Sequence, residues 1–187
     1  LSKGLRIAIA HQQIFPVFCA SATRNMGSGR IMGFINDVCP SPAERPPKRL
    51  EGGGTLPCDA KDKSTLFIYK TMSEQRVGIV SYFKVYSGTL HAGDELINAR
   101  NNTHERLGNI YVSEGKNREQ VNELVAGDLG VTVKLKDSHT NDSLNTKGTD
   151  RQIRRIVYPE PRIRTAVKPP NKSDTEKVSR ALHQIQE

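Results

Sequence analysis

Three stretches of the 187-residue sequence carry residue types that handle nucleotides. The first is PVFCASATRNMGSG, residues 16–29. Val17, Phe18 and Cys19 predict a buried strand over Phe15–Ala20, which then meets a small polar loop holding Ser21, Ala22 and Asn25. Small side chains there let a backbone N–H approach the edge of a base, although an ordinary strand-end loop looks the same. The second is Gly27-Ser28-Gly29-Arg30-Ile31-Met32-Gly33. It is one residue longer than the dinucleotide fingerprint and lacks the acidic residue expected about 20 positions on. Turn and helix-start glycines are the better account. The third is Asn171-Lys172-Ser173-Asp174, the N-K-x-D pattern in which an aspartate accepts hydrogen bonds from guanine. A helix start is the better account of Ser173 and Asp174, whose side-chain oxygens satisfy free N–H groups there.

Phosphate chemistry is missing from these stretches. The sequence has no G-x-x-x-x-G-K-[ST] loop, whose backbone donors and lysine hold the β- and γ-phosphates. Cys19, Cys39 and Cys58 form no CxxC pair and have no histidine at ligand spacing, so no metal site is expected. Cys19 and Cys39 sit in apolar runs and read as small hydrophobes.

The charge points to a polyanion. Net charge is +8, and between Arg151 and Lys172 seven cations (151, 154, 155, 162, 164, 168 and 172) face one acid, Glu160. Such a stripe suits RNA. Phe and Tyr number five each and Trp is absent, which favours contacts to backbone and shape over stacked bases. Lys84, Arg100, Arg106 and Arg118 are the candidate RNA-binding cations in the middle of the chain, although each also fits plain surface charge.

The elements that must position these residues change character along the chain. Residues 1–42 read as helix, strand and helix, the last with Ile31, Phe34, Ile35 and Val38 on one face and a stop before Pro40. Residues 43–63 hold a triple glycine and a cluster of prolines, and read as a linker. Residues 64–150 read as short β-strands with turns at Ser87-Gly88, Ala92-Gly93-Asp94 and Ala126-Gly127-Asp128, a pattern that suggests a small closed barrel. Over 151–187, RIRTAVKP alternates as a strand. A capping box of Ser173 and Glu176 then opens a helix striped by Val178, Ala181, Leu182 and Ile185. Both end segments leave apolar faces without partners, so an excised piece of a longer protein is expected. Apolar runs fall far short of the roughly 20 residues that cross a bilayer, and no leader pattern appears. A soluble, cytoplasmic chain with no membrane partner is expected.

The order of these parts carries a resemblance. PVFCASATRNMGSGRIMGFINDVCPSPAE resembles the end of the GTPase domain of the elongation factor G family. VGIVSYFKVYSGTLHAGDEL and REQVNELVAGDLGVTVKLKD resemble its second domain, a β-barrel shared among translational GTPases. YPEPRIRTAVKPPNKSDTEKVSRAL resembles the opening of its third domain, which makes Asn171–Asp174 a helix start. The resemblance implies a mainly β fold: a translation-factor barrel of the elongation factor Tu domain 2 type, flanked by incomplete α/β segments. It implies that Ser21 and Ala22 hold guanine in the full-length protein, Ala22 donating its N–H and Ser21 bracing the loop. GTP or GDP with magnesium then belongs to the full-length chain, and this piece, lacking the phosphate loop, should be inactive and need no cofactor. The implied partners are the ribosome, through small-subunit RNA rather than DNA, and the remaining domains of the parent. The implied activity is ribosomal translocation. A tetracycline-resistance ribosomal-protection protein shares the domain order, and a stand-alone RNA-binding barrel is the alternative outside the family. Two departures stand out: Asn141 where the family usually has glycine, and Lys134 in place of a small residue.

Overall fold

The computed structural model describes residues 2–74, 76–115, 117–169 and 171–186; Leu1 and Glu187, the outer limits of the two end segments, and Pro170 of the RIRTAVKPP stretch lie outside them. The chain divides into two compact units, Leu1–Pro46 and Pro47–Glu187.

In the first unit, α1 (Ser2–Ala10) and α2 (Ser28–Val38) are the two expected helices. Gly27, at φ +84°, turns the chain into α2, and the helix stops at Cys39 because Pro40 follows. Val38 is buried, and Phe34 takes Phe18 edge-on with ring centres 4.8 Å apart. Arg6 of α1 donates to both carboxylate oxygens of Glu44, at 2.8 and 2.7 Å, in the short turn Pro42–Glu44. The strand expected over Phe15–Ala20 does not form. The segment joins no ladder among the described residues, and Phe15 and Val17 are 76% and 92% exposed. A strand needs a neighbour to satisfy its N–H and C=O groups, and apolar residue type alone supplies none. Cys19 is accordingly exposed rather than a buried hydrophobe.

The second unit is an antiparallel β-domain. A hairpin of β1 (Lys48–Arg49) and β2 (Thr55–Leu56) precedes β3 (Thr65–Glu74), β4 (Gly78–Ser87), β5 (Thr89–His91) and β6 (Glu95–Asn98). Then come β7 (His104–Arg106), β8 (Ile110–Glu114), β9 (Asn117–Val121), β10 (Glu123–Val125), β11 (Leu129–Val133) and β12 (Ser143–Thr146). Eight of them make one sheet in the order β7-β6-β12-β3-β4-β11-β8-β9, while β5 and β10 pair as a separate ribbon. Alternate residues point inward: Leu66 and Ile68, Phe83 and Val85, Leu96, Ile110, Leu124 and Leu144 meet in one buried cluster. Two Ala-Gly-Asp turns work alike. Asp94 accepts the His91 N–H at 2.8 Å and Asp128 the Val125 N–H at 2.9 Å, locking each reversal with the aspartate three residues on.

The expected linker is more ordered than its prolines suggest. Leu50 bridges Ile153, the Glu51 N–H reaches the Gln152 carbonyl at 2.8 Å, and Leu56, Phe67 and Ile153 form a second buried cluster on the outer face of β3 and β4. Burial of that apolar outer face, invisible to local turn chemistry, recruits the hairpin. Past Ile153 the stretch expected as a strand, RIRTAVKP, joins no ladder among the described residues, and Ile163 and Val167 are 84% and 58% exposed. A short 3₁₀ turn, Lys172–Asp174, then leads into α3 (Thr175–Gln186), so the helix opens past Ser173. Among the described residues no helix is long and apolar enough to cross a membrane.

Candidate nucleic-acid interface

The loop after Ala20 closes on itself. The Ser21 N–H donates to the Met26 carbonyl at 3.0 Å and the Met26 N–H returns to Ser21 at 2.9 Å. Asn25, at φ +50°, reaches back to the Ala22 carbonyl, and its side chain accepts from the Ser28 hydroxyl at the start of α2. The Ser21 and Thr23 hydroxyls lie 3.4 Å apart. Among the described residues the Ala22 N–H donates to no backbone carbonyl, and Ala22 is exposed. One free N–H on a pinned loop fits an acceptor on a base edge.

The four candidate cations of the β-domain separate into two kinds. Arg100 donates through Nε and Nη2 to Asp142 at 2.8 and 3.1 Å, and Arg118 pairs with Glu74 and reaches the Tyr82 hydroxyl at 3.3 Å. Both are engaged within the domain, and the hydrogen bonds to Asp142 and to Glu74 respectively raise their already high pKa values. Arg106 is exposed on β7, at one end of the sheet order, and enters no ion pair among the described residues. Lys84 projects from the outer face of β4, with Nζ 5.5 Å from the centre of the Tyr86 ring.

Tyr86 marks a site that residue types alone did not disclose. Lys48 of the hairpin comes to the same ring, at 5.7 Å. Around them opens a groove of about 350 Å³, lined by Phe67, Tyr69, Lys48, Lys84, Arg154 and Ile156 among others. Two β-bulges build it. Thr65 faces Ser87 and Leu66 faces Val85, leaving Tyr86 as an extra residue; Ile68 faces Phe83 and Lys70 faces Tyr82, leaving Tyr69 as another. A bulge re-aims the side chain it carries, and here the two bulged residues are the groove's two tyrosines. Phe67 meets Tyr86 edge-on at 6.4 Å. Burial pushes the Tyr86 phenol above its ordinary pKa, so it remains a neutral donor at physiological pH. Among the described residues no carboxylate lines the groove, and Lys48, Lys84 and Arg154 form no ion pair. The one available sequence signal was the outward set on β4, where Tyr82 and Tyr86 place aromatic rings on either side of Lys84 on a face expected to meet water.

A second buried polar cluster also went unread. Glu105, 1% exposed, accepts the Lys136 and Asp137 N–H groups at 2.8 Å each and the Ser138 hydroxyl at 2.7 Å. With Asp142 it clamps the loop between β11 and β12.

Comparison with known proteins gives two findings. The profile of a family described as elongation factor G domain 2 matches residues 63–147. The crystal structure of a protein from Thermus thermophilus is similar with a TM-score of 0.77 and 25% sequence identity, over 98% of this chain and 26% of that one. The chain thus spans about a quarter of the length of that Thermus protein.

Proposed function

We propose, from the match of residues 63–147 to the elongation factor G domain 2 profile, that the chain is the central piece of an elongation-factor-G-like protein that promotes ribosomal translocation. In this reading the β-domain docks on small-subunit RNA. The observation that carries it is the coincidence of the family match with the antiparallel domain, whose outer face holds Lys84 and Lys48 without acidic partners among the described residues.

Guanine recognition belongs to the Leu1–Pro46 unit of the full-length protein. The Ala22 N–H would donate to the guanine oxygen, and Ser21, hydrogen-bonded both ways to Met26, would hold the loop in place. GTP and magnesium would be held by other parts of the full-length protein and would supply its switch chemistry; this chain would contribute selection of the base. Phosphate contacts provide most nucleotide affinity, so calorimetric titration of this piece with GTP or GDP should give no micromolar binding.

Co-sedimentation with ribosomes tests the docking. The expected result is pelleting at low salt whose association constant falls steeply as salt rises, because phosphate contacts release counterions. Failure to pellet at low salt, or binding indifferent to salt, overturns the proposal.

A further inference from the structure

The aromatic residues are few but not scattered: of five Phe and five Tyr, three (Phe67, Tyr69 and Tyr86) line the same groove as Lys48, Lys84 and Arg154. We propose that this groove takes one nucleotide of a single-stranded RNA segment, its phosphate between Lys48 and Lys84 and its base against the aromatic floor. This deepens the RNA-docking reading and rests on it.

Charge and shape argue the occupant. Both lysine ammonium groups lie within 6 Å of the centre of one ring, hence no more than about 11 Å apart. Two like charges gathered on one ring, without a carboxylate between them, leave an anion unsupplied. The groove volume is within the range of small-ligand sites, roughly 300–1,000 Å³. An acidic peptide would satisfy the lysines but leave the half-buried rings of Tyr69 and Tyr86 unused, whereas a nucleotide uses both halves. A strand rather than a free nucleotide follows from the chain that leaves the groove. Arg154 lines it, and Arg155, Arg162 and Arg164 continue along an exposed segment with Glu160 as the sole acid. A mononucleotide has nothing to offer that row; a phosphodiester backbone does.

The test uses the 187-residue chain and a labelled oligouridylate, read by fluorescence anisotropy. Wild type should bind, with the logarithm of affinity falling linearly in log salt by about 0.7 per phosphate neutralised. The double variant Lys48→Glu, Lys84→Glu should lose at least tenfold in affinity. A charge-matched control at exposed positions outside the groove, Lys61→Glu with Lys147→Glu, should lose less than threefold. Lys48→Gln with Lys84→Gln, gentler on the fold, should fall between them with an unchanged melting temperature. Binding should also quench tyrosine emission, since the chain has no tryptophan to mask it. Equal losses in both Glu double variants overturn the inference, and so does competition by polyglutamate as strong as by unlabelled oligouridylate. Uridine monophosphate binding as tightly as the oligomer overturns it too. Ribosome pelleting separates the two levels. If wild type and the groove variant pellet alike, the groove assignment falls and the docking reading stands. If wild type does not pellet yet oligomer binding needs the two lysines, the docking reading falls and the groove stands.

Discussion

Arg100 and Asp142 meet in a two-pronged ion pair, Nε to Oδ1 at 2.8 Å and Nη2 to Oδ2 at 3.1 Å, with the Asp142 side chain only 3% exposed. Asp142 also accepts the Asn98 side-chain amide at 2.8 Å and the His139 N–H at 3.0 Å. The pair therefore ties the end of β6 to the loop before β12. Burial opposes ionisation of this carboxyl, but hydrogen bonds from Arg100, from the His139 N–H and from Asn98 together outweigh it. Its folded pKa lies below the ordinary carboxylate value.

A depressed carboxylate contributes stability that is complete above its unfolded pKa, about 3.9, and that disappears as pH falls through the lower folded value. The Asp142→Asn variant should therefore be less stable than wild type at pH 7, by roughly 1–3 kcal/mol. The gap should shrink as pH drops below about 4. Urea melts of both proteins from neutral to acid pH measure it. A gap constant with pH would mean that the carboxylate charge contributes nothing.

The four cations nominated from the sequence should divide by assay. Arg100→Ala and Arg118→Ala remove partners of Asp142 and Glu74, so they should lower the melting temperature. Lys84→Ala and Arg106→Ala should leave it unchanged and instead reduce the salt slope of RNA binding, by about 0.7–0.9 for each phosphate no longer neutralised. Thermal melts and binding isotherms on the same four variants decide it. A melting temperature insensitive to Arg100 would contradict the structural role given to it here.

What was legible in the sequence was whatever short-range pattern decides. The Ala-Gly-Asp turns were readable because glycine and aspartate there have one conformational job. The spacing of Ile31, Phe34 and Val38, with Pro40 after it, gave α2. The strands expected at Phe15–Ala20 and RIRTAVKP failed for a non-local reason: a ladder needs a neighbour, and residue type does not say who it is. The groove was hidden by the two bulges. Each inserts one residue, Tyr69 or Tyr86, and no composition rule announces an insertion that only the partner strand reveals. Glu105 and Asp142 were hidden likewise, since a buried acid and a surface acid are spelled the same.

Gly88 has no room for a methyl group. At φ +77°, a Cβ built there would stand 2.4 Å from Ser64 Cα, and the Gly88 N–H already donates to the Asp59 carbonyl at 2.8 Å. Gly88→Ala combines a backbone clash with left-handed strain. It should cost about 3 kcal/mol or more. Chemical denaturation checks this, and a loss under about 1 kcal/mol would show that β3 and the turn can separate cheaply.

Lys134 presents the opposite case. Its φ of +62° is a conformation lysine tolerates poorly, and its side chain is exposed. Lys134→Gly relieves roughly 1 kcal/mol of strain but makes the unfolded chain more flexible, so the net gain should be about 0.5 kcal/mol. The melting temperature should rise by about 1–2 °C. A fall would locate a contribution from the lysine stem that outweighs the backbone.

Asn141 combines both effects in one residue. Its φ is +78°, which favours glycine, yet its side-chain amide pairs with Ile156 twice: Nδ2 donates to the carbonyl at 3.2 Å and Oδ1 accepts the N–H at 2.8 Å. The side chain acts as one more rung of sheet, holding the chain beyond Ile153 along the groove. Asn141→Gly removes both hydrogen bonds but relaxes the backbone; Asn141→Ala removes them and keeps the strain. Stability should rank wild type above Gly above Ala, with about 1 kcal/mol between the two variants. Both variants should let the Ile156 amide exchange faster with solvent, by a similar factor, because that proton loses the same acceptor in each. Hydrogen exchange at Ile156 therefore reads the hydrogen bonds, and the melting temperature reads the backbone. If glycine matched or exceeded asparagine in stability while Ile156 exchange stayed slow, the rung would carry no weight and the turn conformation alone would govern this position.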